Sequence, residues 1–248
     1  MGNTIEIIVP VRPGDHDRFR VEAHSDRIIT NEVECPDGNL SKAYSKAYRE
    51  SSADVVIFKH DDFWFRNWEA FELQLWATMA QYPIIGVAGT RSYAPNRNPA
   101  WWLQANARAG MVDGLNRGLV HHPAQGDFKT TINDYAPTFF GPPGPAAVLD
   151  GCMVAVARDE QLLFNTANLD PYRIANWFDP DFTFHFYDIA FTLNASVALS
   201  AMGQSACYVV LADVCHLSIG AGAGGKDWQI MARKFSMKHS MGKPLEFL

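Results

Sequence analysis

The apolar run Val55-Val56-Ile57-Phe58 passes through Lys59 and stops at the polar triplet His60-Asp61-Asp62. A strand this uniformly apolar needs cover on both faces, as in a sheet flanked by helices. Read over Asp54 to Lys59, it aims the triplet out of the carboxyl edge of the sheet, where ligands of open α/β folds bind. Neighbouring segments keep the same grammar. Ile5 to Pro10 and Arg27 to Asn31 read as strands, and between the second and third strands Leu40, Ala43, Tyr44, Ala47 and Tyr48 recur at helical spacing.

Beyond the triplet, Asn67 can cap a helix whose Trp68, Phe71, Leu75 and Met79 face the core, and Pro83 ends it before a strand from Ile84 to Gly89. These readings give four strands of parallel type. Residues 91 to 145 are rich in Pro, Gly, Asn and aromatic residues with little periodicity, and read as an irregular functional excursion. Regular structure is expected again as a strand over Ala147 to Ala157, a helix from Tyr187 to Met202 with Gly203 as C-cap, and a strand over Ala206 to Ala212. From Lys226 to the end the pattern is that of an amphipathic helix. One α/β domain over 1 to 248, built on a mixed but mostly parallel sheet, is the expected architecture.

Composition narrows the function classes. Hydrophobic residues are 48% of the 248 and charged residues 19%, enough apolar surface for a continuous core. Twenty-one Lys and Arg against 27 Asp and Glu leave a net charge of -6 with no basic stripe, so nucleic acid is not an expected partner. No apolar stretch has the length of a membrane span, and the amino terminus lacks a basic-then-apolar leader pattern; a cytoplasmic protein is expected. Cys35, Cys152, Cys207 and Cys215 show no CxxC spacing and read as free thiols.

Four features carry chemistry. The carboxylates of Asp61 and Asp62 repel each other, and beside aromatic residues they call for a cation such as Mg²⁺ or Mn²⁺, although Asp-Asp pairs also serve as ordinary turns. Asp188 lies at the mouth of a helix, where the dipole favours a carboxylate that can act as a base or simply cap. His216 follows a strand and precedes a glycine-rich loop, so it can complete a metal site with Asp62 or be purely structural. That loop holds Gly220-x-x-x-x-Gly225-Lys226, one residue short of a phosphate loop because Asp227 stands where Ser or Thr is needed; only one helix follows, which leaves no room for an ATPase of that type.

Taken in order, NLSKAYSKAY (39 to 48) leading to ADVVIFKHDD, LDGCMVAVARDE (149 to 160), FHFYDIAF and CHLSIG resemble the family 2 type of GT-A glycosyltransferases. They are most similar to the subgroup of glycosyltransferase-like domains related to a streptomycin-biosynthesis protein. His60 stands where the family's Asp-x-Asp has its first aspartate, and Ser45 where it often has asparagine. The resemblance implies that Asp62, His216 and His60 hold Mn²⁺ or Mg²⁺, and that Asp188 deprotonates an acceptor hydroxyl in an inverting transfer. The donor would be a UDP- or GDP-type nucleotide sugar and the acceptor a saccharide or small molecule.

Pro10, Arg12 and Glu32 follow the first two strands, where the family binds base and ribose, and Asp61, Asp150 and Gly151 join them as donor candidates. Trp101 and Trp102 are candidates for the acceptor side, since aromatic faces stack on sugars; a core role for the pair is the alternative. His121 and His122 belong to the same excursion without a motif of their own. Two rival functions stay open: nucleotidyl transfer on similar architecture, and a nucleotide-sugar binding module without catalysis.

Overall fold

The computed structural model describes residues 4–14, 26–96, 99–102, 115–123, 135–158, 174, 176–200, 206–217, 225–239 and 245–246. Strands β1 (Ile5–Val11) and β2 (Ile28–Glu34) are followed by helix α1 (Leu40–Glu50), then by β3 (Val55–Lys59) and the short β4 (Phe63–Phe65). Helix α2 (Trp68–Met79) leads into β5 (Ile84–Gly86), β6 (Ala88–Thr90) and β7 (Ser92–Tyr93). The middle of the chain supplies β8 (Asn116–Pro123), β9 (Tyr135–Gly141), β10 (Gly144–Ala146), β11 (Val148–Leu149) and β12 (Met153–Ala157). Helix α3 (Tyr187–Ser200), β13 (Cys207–Val209), β14 (Val214–His216), helix α4 (Lys226–His239) and β15 (Leu245–Glu246) complete the described elements.

Both early helices are capped by asparagine, the second at Asn67 as expected. Asn39 accepts a hydrogen bond from the Lys42 amide and Asn67 from the Ala70 amide, each satisfying a donor that the first helical turn leaves open. The apolar stripe of α1 is driven into the core, and two tyrosines on it reach the sheet: Tyr48 donates to the Ala157 carbonyl at 2.8 Å and Tyr44 to that of Lys59 at 3.4 Å. Trp68, Phe71, Leu75 and Met79 of α2 are buried, as their spacing requires.

The larger sheet has the order β10-β13-β5-β12-β3-β1-β2. It is mixed, and it is not mostly parallel as expected: β12 runs antiparallel between β3 and β5, and β10 runs antiparallel on β13. Parallel pairing is confined to β3-β1-β2 and β13-β5. The chain reaches β12 from a second sheet rather than over a crossover helix, so it enters from the opposite end.

That second sheet has the order β11-β6-β8-β14-β4, with β9 on β8. Two segments that read as single strands are divided between the sheets. Ile84 to Gly89 splits at Val87 into β5 and β6, and Ala147 to Ala157 splits at the Asp150-Gly151-Cys152 turn into β11 and β12. The junction is tight: a Cβ on Gly89 would lie 2.4 Å from the Val148 carbonyl oxygen.

Between 91 and 145 the described residues include regular strands that the composition did not announce. β8 and β9 pair antiparallel over most of their length, with an irregularity at Gly118 and Leu119. Pro137 is accommodated because β9 is an edge strand. The expected C-terminal helix ends at His239, and residues 245–246 instead form β15 against β7. Gly203, proposed as a C-cap, lies outside the described residues.

Gly118 has φ 111°, and a Cβ there would meet the Val87 carbonyl oxygen at 2.1 Å. Gly118→Ala should therefore lower stability by at least about 2 kcal/mol, from the disfavoured backbone and the clash together, read as a shift in the urea midpoint.

Candidate metal centre and facing carboxylate

Three side chains from two distant parts of the chain converge at the carboxyl end of β3. Lys59, fully buried, closes the strand and donates to the carbonyls of His60 at 3.2 Å and Phe63 at 3.0 Å, so its ammonium grips the turn that carries the triplet. β14 lies antiparallel to β4 with His216 opposite Phe63, and the Leu217 amide donates to the Asp62 carbonyl at 3.0 Å. This pairing brings His216 to the turn.

His216 Nε2 is 3.2 Å from His60 Nδ1 and 3.2 Å from Asp62 Oδ1, and the remaining edge of the triangle, His60 Nδ1 to Asp62 Oδ1, is 3.9 Å. Edges of 3.2, 3.2 and 3.9 Å leave a point about 2 Å from all three corners, the length of a transition-metal bond to nitrogen or oxygen. Asp62 Oδ1 is shut off from solvent and has no hydrogen bond of regular geometry, although His216 Nε2 lies 3.2 Å away. A buried carboxylate oxygen left this way is costly unless a cation satisfies it.

The electrostatics suit a cation as well. Burial, and then the neighbouring His216 imidazole, lower His60 to about 4, so its ring is neutral near pH 7 and has a lone pair to offer. Burial alone would raise the Asp62 carboxyl, but His216 and His60 outweigh it and hold the group at about 2. The three ligand atoms fit a divalent metal in position, and Asp62 Oδ1 adds unmet bonding capacity.

Asp188 lies in the first turn of α3. Its Oδ2 accepts the Gly151 amide at 2.7 Å, and burial followed by the neighbouring Asp150 charge raises its pKa to about 7. Gly151 permits this approach, since a Cβ there would come within 2.6 Å of the Tyr187 hydroxyl and 2.7 Å of Asp188 Cβ. Phe186, just before α3, has φ 64°, the one non-glycine residue with positive φ among those described, and its carbonyl accepts the Ala190 amide to open the helix. Helix α4 holds this strained corner: the Phe186 ring packs on Trp228 at 5.3 Å and Phe235 at 5.6 Å, while Lys238 pairs with Asp179 and Asp181.

The other candidates distribute unevenly. Asp150 lies beside Asp188, with Oδ1 accepting the Cys152 amide at 3.0 Å and Oδ2 the Trp101 indole at 3.2 Å. Trp101 is thus buried and spends its polar edge on Asp150, whereas Trp102 is half-buried against it with rings 5.8 Å apart. Asp61 sits half-buried within the turn. Pro10 and Glu32 are half-buried and Arg12 is exposed at the ends of β1 and β2, the same sheet edge, one and two strands from β3.

His121 and His122, adjacent on β8, face opposite ways as strand geometry requires. The His122 ring lies 6.0 Å from that of His216, whereas His121 Nε2 is 3.3 Å from Asp213 on the other face. Residues 218–224 of the glycine-rich loop lie outside the described residues. All four cysteines are free, with Cys35 half-buried and the rest buried.

Sequence reasoning missed Lys59 and Tyr187. A lysine ending an apolar strand and an aromatic beside the candidate base were their only signals.

No protein-family model matches this chain, and no curated protein does. Among solved structures it is similar to A197 from STIV, at 10% identity and TM-score 0.39, covering 85% of this chain and 83% of that one. It is also similar to a CMP:2-keto-3-deoxy-manno-octonic acid synthetase complexed with CTP, at 9% identity and TM-score 0.32, covering 97% and 100%. A third is the inositol-1-phosphate CTP transferase from T. maritima, at 10% identity and TM-score 0.32, covering 97% and 98%. These are loose likenesses, and the chemistry rests on the chain's own side chains. No helix among the described residues is long and apolar enough to cross a membrane.

The raised Asp188 pKa has a stability consequence. Between the ordinary carboxyl value of 3.8 and about 7, native Asp188 keeps a proton that the unfolded chain releases. Its contribution is full below that window and is lost as pH rises through it. Metal-free wild type should therefore lose stability relative to Asp188→Asn from about pH 4 to 7, measured by urea denaturation at each pH.

Proposed function

We propose that this chain transfers a glycosyl group from a nucleoside-diphosphate sugar of UDP or GDP type to an acceptor hydroxyl, with inversion at the sugar carbon. The observation that carries this reading is that His60, Asp62 and His216 meet at one corner while Asp188 is linked to that corner through Gly151 and Tyr187. A bound divalent cation would supply positive charge to the departing diphosphate, where negative charge develops. Two imidazoles and one carboxylate favour Mn²⁺ over Mg²⁺, which prefers oxygen ligands and retained waters.

In the transfer, the acceptor oxygen forms a bond to the anomeric carbon as the bond from that carbon to the β-phosphate oxygen breaks. The electron pair leaves on the diphosphate and the acceptor proton passes to Asp188. With a pKa raised to about 7, that carboxylate is a better proton acceptor than an ordinary one and is still substantially ionised near neutral pH. Gly151 holds it in place through the backbone amide.

Pro10, Arg12, Glu32 and Asp61 would line the nucleotide side, because they share the sheet edge that presents the triangle. Asp150 and Gly151 would meet the donor sugar. On the acceptor side Trp102 offers the more accessible ring, with Trp101 holding Asp150 through its indole.

Incubation with Mn²⁺ and a panel of UDP- and GDP-sugars tests the reading. Release of nucleoside diphosphate supports it; pyrophosphate release from a nucleoside triphosphate would instead show nucleotidyl transfer, and tight binding without turnover across many acceptors a binding module. Asp188→Asn should lower turnover by about 10²- to 10⁴-fold while Mn²⁺ binding is retained. His216→Ala should abolish Mn²⁺ binding, measured by calorimetric titration.

A further inference from the structure

Tyr187 links the two halves of the site. Its hydroxyl has one proton, and the Gly151 carbonyl, 3.0 Å away, can only accept. With that proton on the Gly151 carbonyl, the phenol oxygen is open to accept from His60 Nε2, which lies 2.8 Å from it. In this arrangement His60 carries its proton on Nε2 and presents a bare Nδ1 to His216 Nε2 and Asp62 Oδ1. The same residue continues the chain of contacts from its other side, because the Gly151 amide donates to Asp188 Oδ2 at 2.7 Å.

The Tyr187 ring is buried and packs on Tyr44 with centroids 5.6 Å apart, so the hydroxyl is held from behind. Gly151 has no room for a Cβ against that hydroxyl, which keeps the backbone, the phenol and the carboxylate in one fixed arrangement.

We propose that Tyr187 is a positioning residue that sets the tautomer and ring orientation of the metal ligand His60 and, through Gly151, ties the cation site to the base Asp188. The proposal rests on the metal-dependent reading above, but its test needs no sugar transfer. Metal ligands of the histidine type usually donate their second ring N–H to a fixed acceptor, and losing that acceptor typically costs 10- to 100-fold in metal affinity.

Tyr187→Phe keeps the ring and removes the hydroxyl. Tyr48→Phe is the control, since it too loses a buried phenol-to-carbonyl hydrogen bond, to Ala157, away from the site. Titration with Mn²⁺ alone should show affinity about 10- to 100-fold weaker for Tyr187→Phe and unchanged for Tyr48→Phe. In the metal-free wild type, ¹⁵N NMR of the imidazoles should show His60 protonated on Nε2 and bare on Nδ1.

The positioning role is overturned if wild type binds Mn²⁺ and Tyr187→Phe binds it within about 2-fold as well, if both variants weaken alike, or if His60 proves protonated on Nδ1. Absence of Mn²⁺ binding by the wild type would overturn this role together with the metal-dependent function. Binding that is intact in wild type but yields no transfer with any nucleotide sugar would sink the functional reading alone.

Discussion

The antiparallel pairing of β14 with β4 is the contact on which the site depends. It is only three residues long, yet it places His216 opposite Phe63 and fixes the Leu217 amide on the Asp62 carbonyl. Without it the triplet at the end of β3 would be an acidic turn beside aromatic rings, with no His216 at its side. Forming the site thus requires the second sheet, because β14 is held between β4 and β8. The larger sheet presents two ligands and the smaller one delivers the third.

A similar division of labour operates on the base. The turn at Asp150-Gly151-Cys152 is where the chain passes from the small sheet into the large one, and the backbone amide exposed there is the one that holds Asp188. Two carboxylates are brought close at that turn, each fixed by separate donors, and their mutual repulsion in a poorly solvated corner helps keep Asp188 weakly acidic. Fold topology and acid-base behaviour are therefore set at the same three residues.

Local structure was well written into the sequence. The stripes of α1 and α2, the Asn67 cap and the strand ending at Lys59 could be placed from spacing and capping chemistry alone. The pairing of sheets could not. Strands of two or three residues such as β4, β6 and β14 are too short to display alternation, and an antiparallel insertion like β12 looks the same in sequence as a parallel neighbour. Asp62, His216, Asp150 and Asp188 stood out as chemical groups, and Asp62 with His216 as a pair. Tyr187 and Lys59 did not, because a buried hydroxyl and a buried ammonium declare their roles only through the carbonyls they reach.

The docking of α4 extends the reach of the site toward the end of the chain. Phe235 packs against Tyr93, Phe182 and Phe186, and Lys234 and Lys238 anchor to Asp181 and Asp179 on the segment that leads into α3. The left-handed backbone at Phe186 is thus clamped from outside, two residues before Asp188. Helix α4 is thus part of the buttress beneath the candidate base: side chains near the end of the chain back the corner from which α3 starts.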